Sequence, residues 1–176
     1  MTVSNPAPKK SSLDTIANVA IILVCAIAAF VLIRNQFFPP KPPGMPEEAK
    51  KGEQFSQIQQ VLPAGTNKAL VVAVQPGCHF CNDSMPFYKR VLDERNQKNS
   101  QVKFIAAVPA DEAKAEEAQK FAAVGAQPDH MVKIDFASIK VPGTPTIMLV
   151  DNQGKVLDVW VGKLDSDKEK EVLEVL

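Results

Sequence analysis

Gln75-Pro76-Gly77-Cys78-His79-Phe80-Cys81-Asn82-Asp83-Ser84-Met85-Pro86 is the stretch on which the reading of the whole chain turns. The apolar run Ala69 to Val74 leads into it as a strand, and the residues after Cys78 carry helical periodicity. Two cysteines separated by two residues therefore stand where a strand gives way to a helix. A cysteine at a helix N-terminus meets unpaired backbone N–H groups and the positive end of the macrodipole, and both favour thiolate over thiol. Cys78 has that place. Cys81, about one helical turn further on, is close enough to close a disulfide and to resolve a mixed disulfide. The pattern predicts a redox dithiol in which Cys78 attacks and Cys81 releases, with His79 tuning the first thiol when its imidazole is protonated.

Other chemistries compete for the same spacing. Half a zinc site is one, but the only histidines are His79 and His130, and His79 is too near in sequence to complete a tetrahedron easily. A haem attachment site wants His after the second cysteine, where this chain has Asn82. A merely structural disulfide stays open, because cysteine pairs in exported domains are often staples. No metal and no cofactor are expected, since electrons pass between sulfurs alone.

The chain has 176 residues, enough for one ordinary domain plus accessory segments, and its basic and acidic residues balance at 20 each. Lys9, Lys10 and Arg34 against Asp14 fall within the first 34 residues, so the remainder is slightly acidic. Nucleic acid is not an expected partner, because it calls for a basic face.

Ile16 to Ile33 carries no charge and is rich in Ile, Val, Leu and Ala. As a helix it is about 27 Å long, nearly the thickness of a hydrocarbon core, and it reads as a transmembrane helix. A cleaved signal peptide is disfavoured, since Arg34-Asn35-Gln36-Phe37-Phe38 follows in place of a small-x-small site. Lys9 and Lys10 on one side are nearly matched by Arg34 and Lys41 on the other, so charge alone does not orient the span. A short tail, one span and a following domain is the arrangement of a signal anchor. The expected organisation is an N-terminal cytoplasmic tail over residues 1–15, a span over 16–33, a linker over 34–46 and a folded domain over 47–176. The linker holds Pro39, Pro40, Pro42, Pro43 and Pro46 and favours extended polyproline II segments. The domain is then expected on the extracytoplasmic, periplasmic side of the cytoplasmic membrane, where disulfides persist.

Beyond residue 47 the pattern is α/β. Phe55, Ile58, Val61 and Leu62 recur at helical spacing, with strand as the alternative. The helix after Cys78 is predicted to run to about Lys98 with Pro86 inside it as a fixed bend. Then follow a strand over Val102 to Val108, a helix from about Glu112 to Val124 with a solvated charge run, and a short edge strand over Met131 to Phe136. Val141-Pro142-Gly143-Thr144-Pro145-Thr146 precedes a hairpin of Ile147 to Val150 and Val156 to Val161, and Asp165 or Ser166 caps a last helix. Trp160 is expected in the core.

In this order and spacing the residues from Ala69 to Leu176 resemble the thioredoxin superfamily. Four features carry the likeness: Cys78-x-x-Cys81, Pro86 eight residues after the first cysteine, Gly143-Thr144-Pro145-Thr146, and the hairpin ending in Gly162. The resemblance implies a thioredoxin-like fold, a central mixed sheet flanked by helices, joined here to the N-terminal transmembrane helix. It also implies a cis Pro145 beside the dithiol and a Thr144 backbone that pairs with an extended substrate segment. The span, the proline linker and the insert between Val108 and Val141 look most like the bacterial membrane-anchored TlpA-like and ResA-like thiol-disulfide oxidoreductases. For such a protein the partners are protein thiols or disulfides outside the cytoplasm, together with a membrane or soluble electron donor. Three departures stand out. Gly77 occupies the place where the family usually has Trp, Val72 the place of a buried acid, and His79 alters the familiar pair between the cysteines. Some thioredoxin folds bind Cu(I) through two thiolates and a distant His, which here is His130, although their cysteines are further apart. Peroxidase chemistry lacks its usual Thr and Arg neighbours around Cys78.

Overall fold

The computed structural model describes residues 12–37 and 47–176, which belong to two units, Met1–Gly44 and Met45–Leu176. The expected tail lies outside the described residues as far as residue 11, and the proline-rich linker from residue 38 onward.

Among its described residues the first unit has one helix, α1 (Ser12–Phe37), longer at both ends than the apolar run alone. Its Ile16–Arg34 stretch has a mean hydropathy of 3.0 and none of it is buried within the protein. A helix that is apolar all round has no wet face to show to water. It is long and apolar enough to cross a membrane once.

The second unit runs α2 (Ser56–Val61), β1 (Lys68–Ala73), α3 (His79–Gln97), β2 (Lys103–Val108), α4 (Ala113–Ala123) and β3 (His130–Lys133). A 3₁₀ turn at Ala137–Ile139, β4 (Thr146–Asp151), β5 (Val156–Val161) and α5 (Ser166–Glu174) complete it. The five strands form one mixed sheet in the order β3-β2-β1-β4-β5. β1 pairs in parallel with β2 and antiparallel with β4, so it is the centre of the sheet and is buried on both faces, as its unbroken apolar run requires.

Alternation along β1 divides the core in two. Leu70, Val72 and Val74 pack with Cys81, Met85 and Tyr88 of α3, Phe121 of α4 and Val172 of α5. Ala69, Val71 and Ala73 face Ile58 of α2 and Ile139 of the 3₁₀ turn. Each such fully buried aliphatic or aromatic side chain contributes about 1.5–3 kcal/mol. Trp160 is buried as expected, and its Nε1–H donates to Glu171 at 3.0 Å.

Two expectations need correction. The edge strand ends at Lys133 rather than Phe136. Asp135 takes over the backbone there: its carboxylate accepts from Ala137 N–H and its carbonyl from Ser138 Oγ, which winds the chain into the 3₁₀ turn. The charge run of α4 is solvated at Glu116 but not at Glu117, which is 0 % exposed. Glu117 turns inward because it shares the stripe of Ala113 and Phe121, four residues to either side.

Candidate active site

The start of α3 is built by a turn. Pro76 and Gly77 are its central residues, Gly77 has φ of +74°, and Cys78 N–H donates to Gln75 C=O at 3.3 Å. Proline followed by a residue with positive φ is the sequence of a type II turn. The departure at Gly77 therefore has a local cause: a Cβ-bearing residue adopts this conformation only at a cost.

The turn delivers Cys78 as the N-cap of α3, where its Sγ accepts the Cys81 N–H at 3.1 Å. A sulfur that accepts a backbone N–H at a helix N-terminus is held in the environment that favours thiolate in the reduced state. Cys78 and Cys81 form a disulfide with S–S 2.10 Å and Cα–Cα 5.2 Å. The two sulfurs are not equivalent, since Cys78 is 8 % exposed and Cys81 0 %.

Register brings the second half of the site. Thr146, the first residue of β4, lies opposite Ala73, the last of β1. Antiparallel pairing thus sets the loop before β4 beside the turn after β1, although the two are far apart in sequence. Thr144–Pro145 is a cis peptide bond, and the Thr144 carbonyl oxygen lies 3.3 Å from Cys78 Sγ. The loop is pinned on both sides: Thr146 Oγ1 donates to Gly143 C=O at 2.7 Å and Gly162 N–H to Pro145 C=O at 2.7 Å. Among the described residues, neither Thr144 N–H nor Thr144 C=O pairs with another backbone group.

His79 stands on the rim with its side chain 79 % exposed, and its Nε2 is 3.6 Å from Asp83 Oδ2. Lys163, just past Gly162, donates to the same carboxylate at 2.9 Å. That hydrogen bond holds Asp83 below the usual carboxylate range, and the charge of His79 acts in the same direction. The His79–Asp83 contact is legible as an i,i+4 pair, whereas Lys163 comes from the far end of the hairpin and leaves no local signal.

Cys78, Cys81, His79, Thr144 and Pro145 are thus brought together at one end of the sheet. His130 is not among them. It pairs with Ile105 on the edge strand β3, two strands from β1 and level with Val71 rather than with the strand ends. No group of three or more His, Cys, Asp or Glu that could hold a metal ion occurs among the described residues. Val72 is fully buried in the same core cluster as Cys81, so the place of a buried acid is filled by an aliphatic side chain.

A thioredoxin-like domain family model matches residues 55–176. No curated protein sequence matches the chain. Among solved structures, a Chlorobium tepidum protein provisionally assigned as thiol:disulfide interchange protein DsbE superposes with a TM-score of 0.54 at 21 % identity, covering 73 % of this chain and 96 % of its own. A Bacteroides thetaiotaomicron protein provisionally assigned as a protein disulfide isomerase gives 0.53 at 15 % identity, covering 74 % and 91 %. At these identities the likeness speaks for the fold.

Proposed function

Because this chain belongs to the thioredoxin-like domain family, we propose that it is a membrane-anchored thiol-disulfide oxidoreductase acting on cysteines of extracytoplasmic proteins through its Cys78-His79-Phe80-Cys81 dithiol. The observation that carries the reading is the inequality of the two sulfurs. Cys78, the reachable one, accepts a helix N-terminal N–H and adjoins the Thr144 carbonyl, while Cys81 is closed off behind it.

In the reducing direction the Cys78 thiolate attacks one sulfur of a client disulfide. A Cys78–client S–S bond forms, the client S–S bond breaks, and the departing client sulfur leaves as thiolate and takes up a proton from water. Cys81, having lost its proton, then attacks Cys78 Sγ and expels the second client thiolate. The dithiol is oxidised to the Cys78–Cys81 disulfide and the client disulfide is reduced to two thiols. An electron donor in the membrane or in solution restores the dithiol, and the reverse sequence oxidises a client. The Thr144 backbone pairs with the client segment as an added strand would, and His79 tunes the attacking thiol. With Val72 where an acid could take the Cys81 proton, that proton passes to water or to another group.

The proposed organisation is a cytoplasmic tail over 1–15, a single span over 16–33, a linker over 34–46 and the catalytic domain over 47–176 on the extracytoplasmic side. A Cys81→Ser variant of the full chain is expected to accumulate mixed disulfides through Cys78, seen as adducts that thiol reductants release. The Cys78→Ser variant forms none. Absence of adducts from Cys81→Ser, with no exchange by the wild-type chain, would leave the pair as a structural staple.

A further inference from the structure

We propose that Phe80 selects the partner, so that the cysteine this protein engages is flanked by a large apolar side chain that packs on the Phe80 ring. The inference rests on the exchange reading above and specifies its substrate class. Among the described residues of the globular unit, Phe80 is the one large hydrophobic side chain left mainly in solvent, at 56 % exposure. Phe87, Phe104, Phe121 and Trp160 are all buried. A single exposed apolar residue is ordinary on a protein surface, but this one stands between the two reactive cysteines.

Its backbone is held in the helix. Phe80 lies in the first turn of α3, where its carbonyl accepts from Ser84 Oγ at 2.8 Å, and its ring centroid is 5.9 Å from that of His79. A client segment paired with the Thr144 backbone has its cysteine at Cys78 Sγ, and neighbouring client side chains then fall alongside the first turn of α3. Apart from His79, what they meet there is small or internally paired. Pro76, Gly77 and Gly143 are exposed and uncharged, and Asp83 is neutralised by Lys163 at 2.9 Å. Among these neighbours, His79 included, the phenyl ring is the one large apolar surface on offer, and it discriminates by removing apolar surface from water on both sides.

The test uses the reduced full-length chain in lipid nanodiscs and three oxidised probes. Two are short peptides, each carrying one cysteine as its glutathione mixed disulfide and identical but for Leu or Ser on both sides of it, and the third is glutathione disulfide. Wild type is expected to reduce the Leu-flanked peptide with a second-order rate constant about tenfold above that for the Ser-flanked one. Phe80→Ser brings that ratio close to unity, chiefly by slowing the Leu-flanked peptide, and Phe80→Leu restores most of the preference. If Phe80→Ser slows all three probes alike, Phe80 acts through the dithiol chemistry and the proposal is overturned. A wild type that reduces the three probes equally overturns the proposal and leaves the exchange reading standing. A wild type that reduces none of them removes the exchange reading, and the proposal with it.

Discussion

Gly77 shows how one residue without a side chain sets a reactive sulfur in place. Its φ of +74° lets the Gln75–Cys78 turn close, and a Cβ built there meets nothing within 4 Å, so substitution costs conformation and not space. Gly77→Ala is expected to lower stability by about 1 kcal/mol, read as a fall in the denaturant midpoint at unchanged slope, and to slow exchange as the turn opens beneath Cys78. Gly77→Asn should lose less, because Asn tolerates the left-handed region. The residues of the site that were legible in the sequence are those whose signal is local: Cys78 and Cys81 by spacing, Pro145 by its place before a strand, His79 by position. Lys163 and the Gly162 N–H were not, because their partners Asp83 and Pro145 lie in other elements and no spacing rule connects them.

Helices α3 and α4 are joined by a cluster that mixes aromatic packing with buried polarity. Tyr88 of α3 and Phe121 of α4 have ring centroids 5.6 Å apart, with Phe104 of β2 within 6.1 Å of both. Burial pushes the Tyr88 phenol well above its ordinary value, and the nearby Glu117 carboxylate adds to the effect. As this is the chain's one tyrosine, absorbance at 295 nm should stay flat through about pH 10, where a free phenol ionises, and rise only with unfolding. The stabilisation held by the neutral phenol is complete below about pH 10 and is lost as pH climbs from there toward the folded value, since the unfolded chain ionises first. Glu117 Oε1 accepts from Lys120 at 2.7 Å, and its Oε2 has no partner among the described residues. Burial alone would lower the Lys120 pKa, but hydrogen bonds to Glu116 and Glu117 outweigh it and raise it. Lys120→Met, which strands the buried carboxylate, is expected to cost about 2 kcal/mol, discounted because Lys120 remains partly in water. The double variant Glu117→Leu with Lys120→Met should recover most of that loss in the same denaturation measurement. Glu117 is missed when the charge run is read as solvated throughout, although Glu117 lies four residues from Phe121 on the stripe that faces the core.

At the scale of the molecule, the order of elements was readable because each carries its own period and its own punctuation, from the apolar run of β1 to the Asp165 cap of α5. Strand order and register were not, since they depend on pairings between distant segments. The unit from Met45 to Leu176 has its own two-sided core. A fragment beginning at Met45 is therefore expected to melt cooperatively and to keep its exchange rate with a soluble disulfide, while the full chain sediments with membranes and stays there through an alkaline carbonate wash. Loss of folding in the fragment would count against the proposed boundary. The pairing of Thr146 with Ala73 has one more implication. Two interior strand ends hold the sulfur and the Thr144 carbonyl side by side, so fraying of an edge strand does not part them. In hydrogen–deuterium exchange the β1 and β4 amides that support the site are expected among the last to open, so its support and the sheet would be lost together.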